Sequence, residues 1–199
     1  MMNARGLRHR IEVLTLSDTG EGFAWDVSGK LWADVVQTGK RNLFSAVGLG
    51  KPTVQFTVRR CPLTLHNALR LHDRHCFLTE IAPHKEDSAY LTVTAALAEP
   101  VTCTVTRRKT ERDPVFLRPT LVREQTVAFP AVRTEKYVRF EDGMPHDATE
   151  QVHVLVCPGA VTLQTGELVT IGAEVWRVQI GHELDEYKNE YEIVLNKDA

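Results

Sequence analysis

The strongest constraint on this chain is a hydrophobic period of two. Thr53–Arg59 reads T-V-Q-F-T-V-R and places Val54, Phe56 and Val58 on one face. Leu91–Ala95 does the same with Leu91, Val93 and Ala95. Gln151–Val156 aligns Val152, Val154 and Val156, and Glu190–Leu195 aligns Tyr191, Ile193 and Leu195. Successive side chains of an extended backbone point to opposite sides, so this alternation predicts half-buried β-strands. Further strands are expected at Arg10–Leu16, Leu31–Gln37, Phe77–Ala82, Thr102–Lys109, Val127–Val132, Leu168–Ile171 and Glu174–Ile180. Many short strands separated by turn residues read as a barrel or sandwich. Helix signals are thin. Arg41–Val47, stopped by Gly48 and Gly50, is a short candidate.

The strands also recur. Val54–Pro62 lies beside Glu150–Pro158, both alternating and both ending in Cys-Pro, 96 residues apart. Leu69–Ile81 lies beside Leu168–Ile180 at an offset of 99, each a short strand, a polar two-residue turn and a second strand. Leu91, Val93 and Ala95 stand beside Tyr191, Ile193 and Leu195 at an offset of 100. Three segments in the same order imply a duplicated unit of ordinary small-domain size. The fold expected is therefore all-β: two small β-barrel domains in tandem (residues 1–99 and 100–199), with long inserted loops and little helix. Pro100 ends the first unit. The charged segment Thr110–Glu124, with Pro114 and Pro119, reads as a loop or extended arm within the second.

Chemistry is sparse. The halves carry +2 and −4, giving the net −2, too little positive charge for a dedicated nucleic-acid binder. No apolar run approaches the roughly 18 residues of a spanning helix, and none at the N-terminus resembles a signal peptide, so a cytoplasmic setting and no membrane partner are expected. Cys61, Cys76, Cys103 and Cys157 include no C-x-x-C pair and read as buried, reduced thiols. His66, His72, His75 and Cys76 fit no common zinc spacing, and His75 and Cys76 would face opposite ways along a strand. Thr38–Asn42 lacks the first glycine and the hydroxyl of a phosphate-binding loop. Glu183, Asp185, Glu186, Glu190 and Glu192 read as a solvated hairpin face. No enzyme, metal site or cofactor is expected.

What remains is Gly39–Lys51, G-K-R-N-L-F-S-A-V-G-L-G-K, a long connection holding Leu43, Phe44, Val47 and Leu49. A loop this apolar must bury those side chains, in its own domain or against a neighbouring subunit. The reading favours a neighbour.

The N-terminal half resembles a known family. Gly6-Leu7-Arg8-His9-Arg10-Ile11-Glu12-Val13 leads into the first strand, Leu31-Trp32-Ala33-Asp34-Val35 carries a Trp-Ala pair, and Gly39-Lys40-Arg41-Asn42-Leu43-Phe44-Ser45-Ala46 follows the second strand. With Val54–Arg59, the hairpin around Asp73–Ile81 and Leu91–Leu97, these features are similar to bacteriophage head-tail joining, or head-closure (stopper), connector proteins over roughly residues 3–98. Such proteins typically end near Pro100, so this chain looks like two fused connector barrels. The resemblance implies a viral structural protein of the virion neck. It forms a homo-oligomeric ring that joins a portal or adaptor protein to a tail terminator or tail-tube protein, and packaged DNA passes through without sequence-specific binding. It implies subunit or portal contacts, or a channel loop, built from Arg8, Arg10, Gly39, Lys40, Arg41, Asn42, Leu43, Phe44, Val47, Leu49 and Lys51. The alternatives are a tail-tube, tail-terminator or baseplate ring component or, with His66, His72 and His75, a small metal-dependent enzyme or binding module.

Overall fold

The computed structural model describes residues 6–42, 44–112, 119–136 and 152–196. Every long element in it is a strand. β1 (His9–Asp18), β2 (Phe23–Asn42), β3 (Lys51–Arg59), β4 (Asn67–Leu71), β5 (Arg74–Pro83) and β6 (Tyr90–Leu97) form a closed barrel in the order β1-β2-β3-β6-β5-β4. β7 (Val101–Arg112), β8 (Pro119–Glu135), β9 (Val152–Pro158), β10 (Leu168–Ile171), β11 (Glu174–Asp185) and β12 (Lys188–Leu195) form a second, ordered β7-β8-β9-β12-β11-β10 around the ring. The two orders are the same topology.

Alternation builds each core. Ile11, Val54, Phe56, Val58, Leu69, Cys76, Leu78, Val93 and Ala95 point into the first barrel, and Cys103, Phe129, Leu155, Cys157, Val169, Trp176, Tyr191 and Ile193 into the second. The β4–β5 turn is His72-Asp73, both with positive φ, and the β10–β11 turn is Gly172-Ala173 with Gly172 at φ 62°. Such two-residue turns match the twist of the strands they join.

Pairing registers fix the repeat. Leu69 faces Cys76 as Val169 faces Trp176, an offset of 100. The same bulge interrupts both second hairpins, at Leu78/Glu80 and at Val178/Ile180. Ala95 pairs with Leu78 as Ile193 pairs with Val178, so β6 and β12 differ by 98. Phe56 pairs with Val93 as Leu155 pairs with Tyr191, so β3 and β9 differ by 99. Offsets of 96, 99 and 100 read from the sequence are corrected to 99, 100 and 98. The shared Cys-Pro misaligned the first segment. Cys61 lies in the connection after β3, whereas Cys157 sits inside β9 with its thiol in the barrel core.

Three local expectations change. Arg41 and Asn42 are not helical; they close β2 by pairing with Pro52 and Lys51. Thr110–Glu124 is mostly strand, since β7 and β8 stay paired out to Arg112 and Pro119, with 113–118 outside the described residues. Cys61 is half-buried rather than buried, and burial pushes the Cys76 and Cys103 thiols up to about 12.

Candidate functional site

The barrels meet along a third cluster that belongs to neither interior. Phe77, Ala96 and Ala98 on the outside of the first barrel pack with Phe44 against Val132, Val154 and Val156 on the outside of the second, with Trp25 and Val47 at the margin. A second tie comes from the β1–β2 turn. Gly22, at φ 155°, lies so close to Ala128 that a Cβ there would sit 2.0 Å from its carbonyl oxygen, and Ala128 N–H donates to Glu21 O at 3.1 Å.

The third tie is the β2–β3 connection, and it reverses one expectation. Phe44 is 1% exposed, its ring 5.3 Å from that of Phe77 in this same chain. Phe44 and, at its margin, Val47 are taken up by the inter-barrel joint and not left for a neighbouring copy, because the strap runs onto the outer face of β12 and β8, while Leu49 stays exposed. Leu49 N–H donates to Glu135 O at 2.9 Å and Leu49 O accepts from Thr134 Oγ1 at 3.1 Å. Gly48 is required where the strap crosses Thr134, since a Cβ would lie 2.4 Å from Thr134 Cγ2.

Beneath the strap lies a buried charge cluster. Glu190, 1% exposed, accepts from Ser45 Oγ at 2.5 Å, from Ala46 N–H at 3.0 Å and from Val47 N–H at 3.3 Å. Lys188 Nζ donates to Phe44 O at 2.7 Å and to Glu190 Oε1 at 3.1 Å, and stands 3.3 Å from Asp185. Burial opposes the Glu190 charge, but the bonds from Ser45 and Ala46 and the Lys188 ammonium outweigh it and hold the carboxyl below its ordinary value. Burial likewise opposes the Lys188 charge, and Glu190, Tyr187 and Asp185 together raise its pKa. Glu192 is held ionised by Lys136 at 2.8 Å and His182 at 3.1 Å. These two acids were expected on a solvated face. The structure buries both: the strap roofs Glu190, and Lys136 and His182 close over Glu192.

A serine, a lysine and a carboxylate so close together invite a catalytic reading, but their valences are occupied. Ser45 Oγ donates to Glu190 and accepts from Val47 N–H at 3.2 Å and Gly48 N–H at 2.6 Å, with the residue wholly buried. The arrangement does one thing well: it locks two barrels in one relative orientation. Burying Phe44 contributes about 1.5–3 kcal/mol to that lock.

The remaining expected site residues scatter. Arg8 and Arg10 are exposed at the start of the first barrel, with Arg10 directly across from Trp32 on β2. Leu7, Lys30, Trp32 and Arg59 line an open depression of about 500 Å³ nearby. Leu49 and Lys51 line another of about 410 Å³ with Arg133, Glu135 and His153. Gly39 to Asn42 belong to the far end of β2, the side chains of Lys40, Arg41 and Asn42 are not described, and Leu43 lies outside the described residues.

The histidine group does not converge. His72 occupies a turn, while His75 is buried against Trp25 at 5.5 Å and Phe77 at 5.1 Å, away from the inward-facing Cys76. Burial, with Arg70 adding to it, lowers the His75 pKa to about 4. Among the described residues no three His, Cys, Asp or Glu side chains come together as a metal site.

Thr134 and Lys188 were singled out by nothing in the sequence, Ser45 stood there only within the Gly39–Ala46 stretch, and Glu190 was read as a wet hairpin residue. Ser-x-x-Gly at 45–48 is a turn signal of low specificity, and charged residues alternating along a strand ordinarily mark a wet face. No family profile, curated protein or solved structure matches the chain.

Proposed function

We propose that this protein is a ring-forming structural subunit of a bacteriophage head-tail neck. Its copies stand side by side around a DNA channel, between a portal or adaptor protein and a tail terminator or tail-tube protein. The observation that carries the reading is the joint itself. Two barrels of one topology sit side by side through different faces, β5 and β6 of the first against β8 and β9 of the second. A heterologous contact of this kind, repeated, closes a ring where its rotation divides a full turn, whereas a two-fold contact stops at a dimer.

Two further features support it. Residues 3–98 resemble connector proteins of that neck. The lock of Glu190, Lys188 and Ser45 makes each chain a rigid double block, as a load-bearing wall requires. The strap itself lies within the chain, so contacts between copies fall to the outer barrel faces and to the Arg8–Arg10 segment. The β7–β8 ribbon, which runs beyond its last pairing with β10 near Val105, supplies a projecting arm for portal, tail or channel.

The test is imaging of the purified full chain over rising concentration, alone and with the portal protein of the same genome. Rings, or rings seated on portals, are the expected result. A protein that remains monomeric in both settings overturns the reading.

A further inference from the structure

The register of the duplicated barrels supplies a map from one to the other. On it, the covered face of the second barrel (Val132, Val154 and Val156) corresponds to Asp34, Gln55 and Thr57 of the first. The link is that Asp34 pairs with Thr57 as Val132 pairs with Val156. The covering residue Phe77 of the first barrel corresponds to Arg177 of the second, since Phe77 pairs with Ala68 and Arg177 with Leu168. Each chain therefore carries one filled joint and two unfilled halves of the same joint, one on each barrel.

The unfilled halves are complementary. On the first barrel, Asp34 is flanked along the outer face of β2 by Trp32, 57% exposed, and Val36, 51% exposed. The start of β2 reaches the second barrel through Phe23 and Trp25, whereas Trp32 and Val36 farther along it stay exposed among the described residues. On the second barrel, Arg177 is exposed beside Leu168, itself 46% exposed, while Val194 at the place of Ala96 is already buried. Neither Asp34 nor Arg177 has an ion-pair or hydrogen-bond partner among the described residues. Phe77 and Val132 share one apolar cluster inside the chain, and their counterparts on the two outer faces, Arg177 and Asp34, are oppositely charged.

We infer that these faces meet: the Leu168–Arg177 face of one copy docks on the Trp32–Asp34–Val36 face of the next, with Arg177 on Asp34. This names the surfaces of the ring and rests on the ring reading above. The contact reproduces the intramolecular joint, so a ring of chains is a ring of twice as many alternating barrels. The internal joint is apolar where the two barrel walls meet, with its buried charges under the strap, and it is permanent because it lies within one chain. The external one is charged at its centre, which favours register and reversible assembly over brute affinity. Arg10, across from Trp32, stands at its rim.

Charge reversal tests it in the full chain, with circular dichroism checking that each variant folds. Asp34→Arg alone and Arg177→Asp alone are each expected to weaken self-association by about tenfold or more, because each places like charges face to face. Mixing the two single variants is expected to restore assembly, since alternating copies present an opposite pair at every contact. The double variant is expected to restore it as well. If the wild type forms rings and neither single variant weakens them, this interface is wrong and the ring reading stands. If the wild type never associates, alone or on portals, both fall. Quenching of Trp32 fluorescence by single-stranded DNA, with the protein still monomeric, overturns the assignment in favour of a nucleic-acid face.

Discussion

The Ser45 hydroxyl donates to Glu190 Oε2 at 2.5 Å across 145 positions of chain. Glu190 also neutralises Lys188, which stands 6% exposed with the Phe44 carbonyl as its other close partner. Glu190→Ala leaves that ammonium buried with only Asp185 to balance it. Breaking one side of a buried pair costs about 3–5 kcal/mol, so a large fall in the urea midpoint is expected. Ser45→Ala removes a donor and leaves part of the carboxylate unsatisfied, for a smaller loss of about 1–3 kcal/mol. An unchanged midpoint in both would remove the lock from the account of stability.

Phe44 carries the apolar share of the same joint. Phe44→Ala is expected to destabilise by about 3–5 kcal/mol and to loosen the two barrels relative to one another. Small-angle scattering would read the second effect as a larger radius of gyration while circular dichroism retains its β signal. A variant that kept the compact envelope would show that the ties at Gly22 and Glu190 hold the barrels without it.

Gly48 tests the strap's closest crossing. Gly48→Ala forces a methyl into Thr134 Cγ2 at 2.4 Å and toward Ser45 Oγ at 2.9 Å, an overpacking cost of about 1–3 kcal/mol. Thr134→Ser removes the obstructing methyl and keeps the hydroxyl that bonds Leu49 O. The pair together is therefore expected to recover most of what Gly48→Ala loses, as a positive coupling energy in thermal melts. Simple additivity would count against the crossing.

His75 gives the fold a pH dependence of known sign. Its ring is 5% exposed, and its Nε2 is buried without a hydrogen-bond partner. Folding lowers its pKa from 6.5 to about 4, so the unfolded chain binds the proton more readily across that window. Stability is then complete above about pH 6.5 and falls as the pH drops toward 4, by about 3 kcal/mol in all. His75→Phe should flatten that slope in urea melts at pH 7 and pH 4.5. Glu190 and Glu192 add their own loss at lower pH, since both lie below the ordinary carboxylate value. A slope unchanged by His75→Phe would assign the whole acid sensitivity to those carboxylates.

Much of this architecture was legible from period two and from recurrence, because alternation is imposed by the backbone and survives divergence. Val54, Phe56 and Val58 read directly as an inward row, and so did Tyr191 and Ile193. β4 was visible only as half of a repeated hairpin, being too short to alternate convincingly. The sequence offsets were off by up to three residues because Cys61 and Cys157 look alike in a string and occupy unlike places in the fold. The joint was illegible for a different reason. Alternation tells that a strand has two unlike faces but is silent on what roofs the second. Glu190 and Glu192 therefore passed for wet residues, and Phe44 for a side chain awaiting another molecule.

Closure of each sheet on itself, through β1 with β4 and β7 with β10, has a consequence for behaviour at high concentration. Around each barrel wall the strands are bonded on both sides, and backbone ladder is left open where the β7–β8 ribbon runs past Val105 with no third strand beside it among the described residues. Crowded molecules therefore meet through side chains along the barrel walls, and the edges of that ribbon are the place where backbone pairing between copies is open. Protection against fibril growth thus comes from closure of the walls and is weakest along the ribbon.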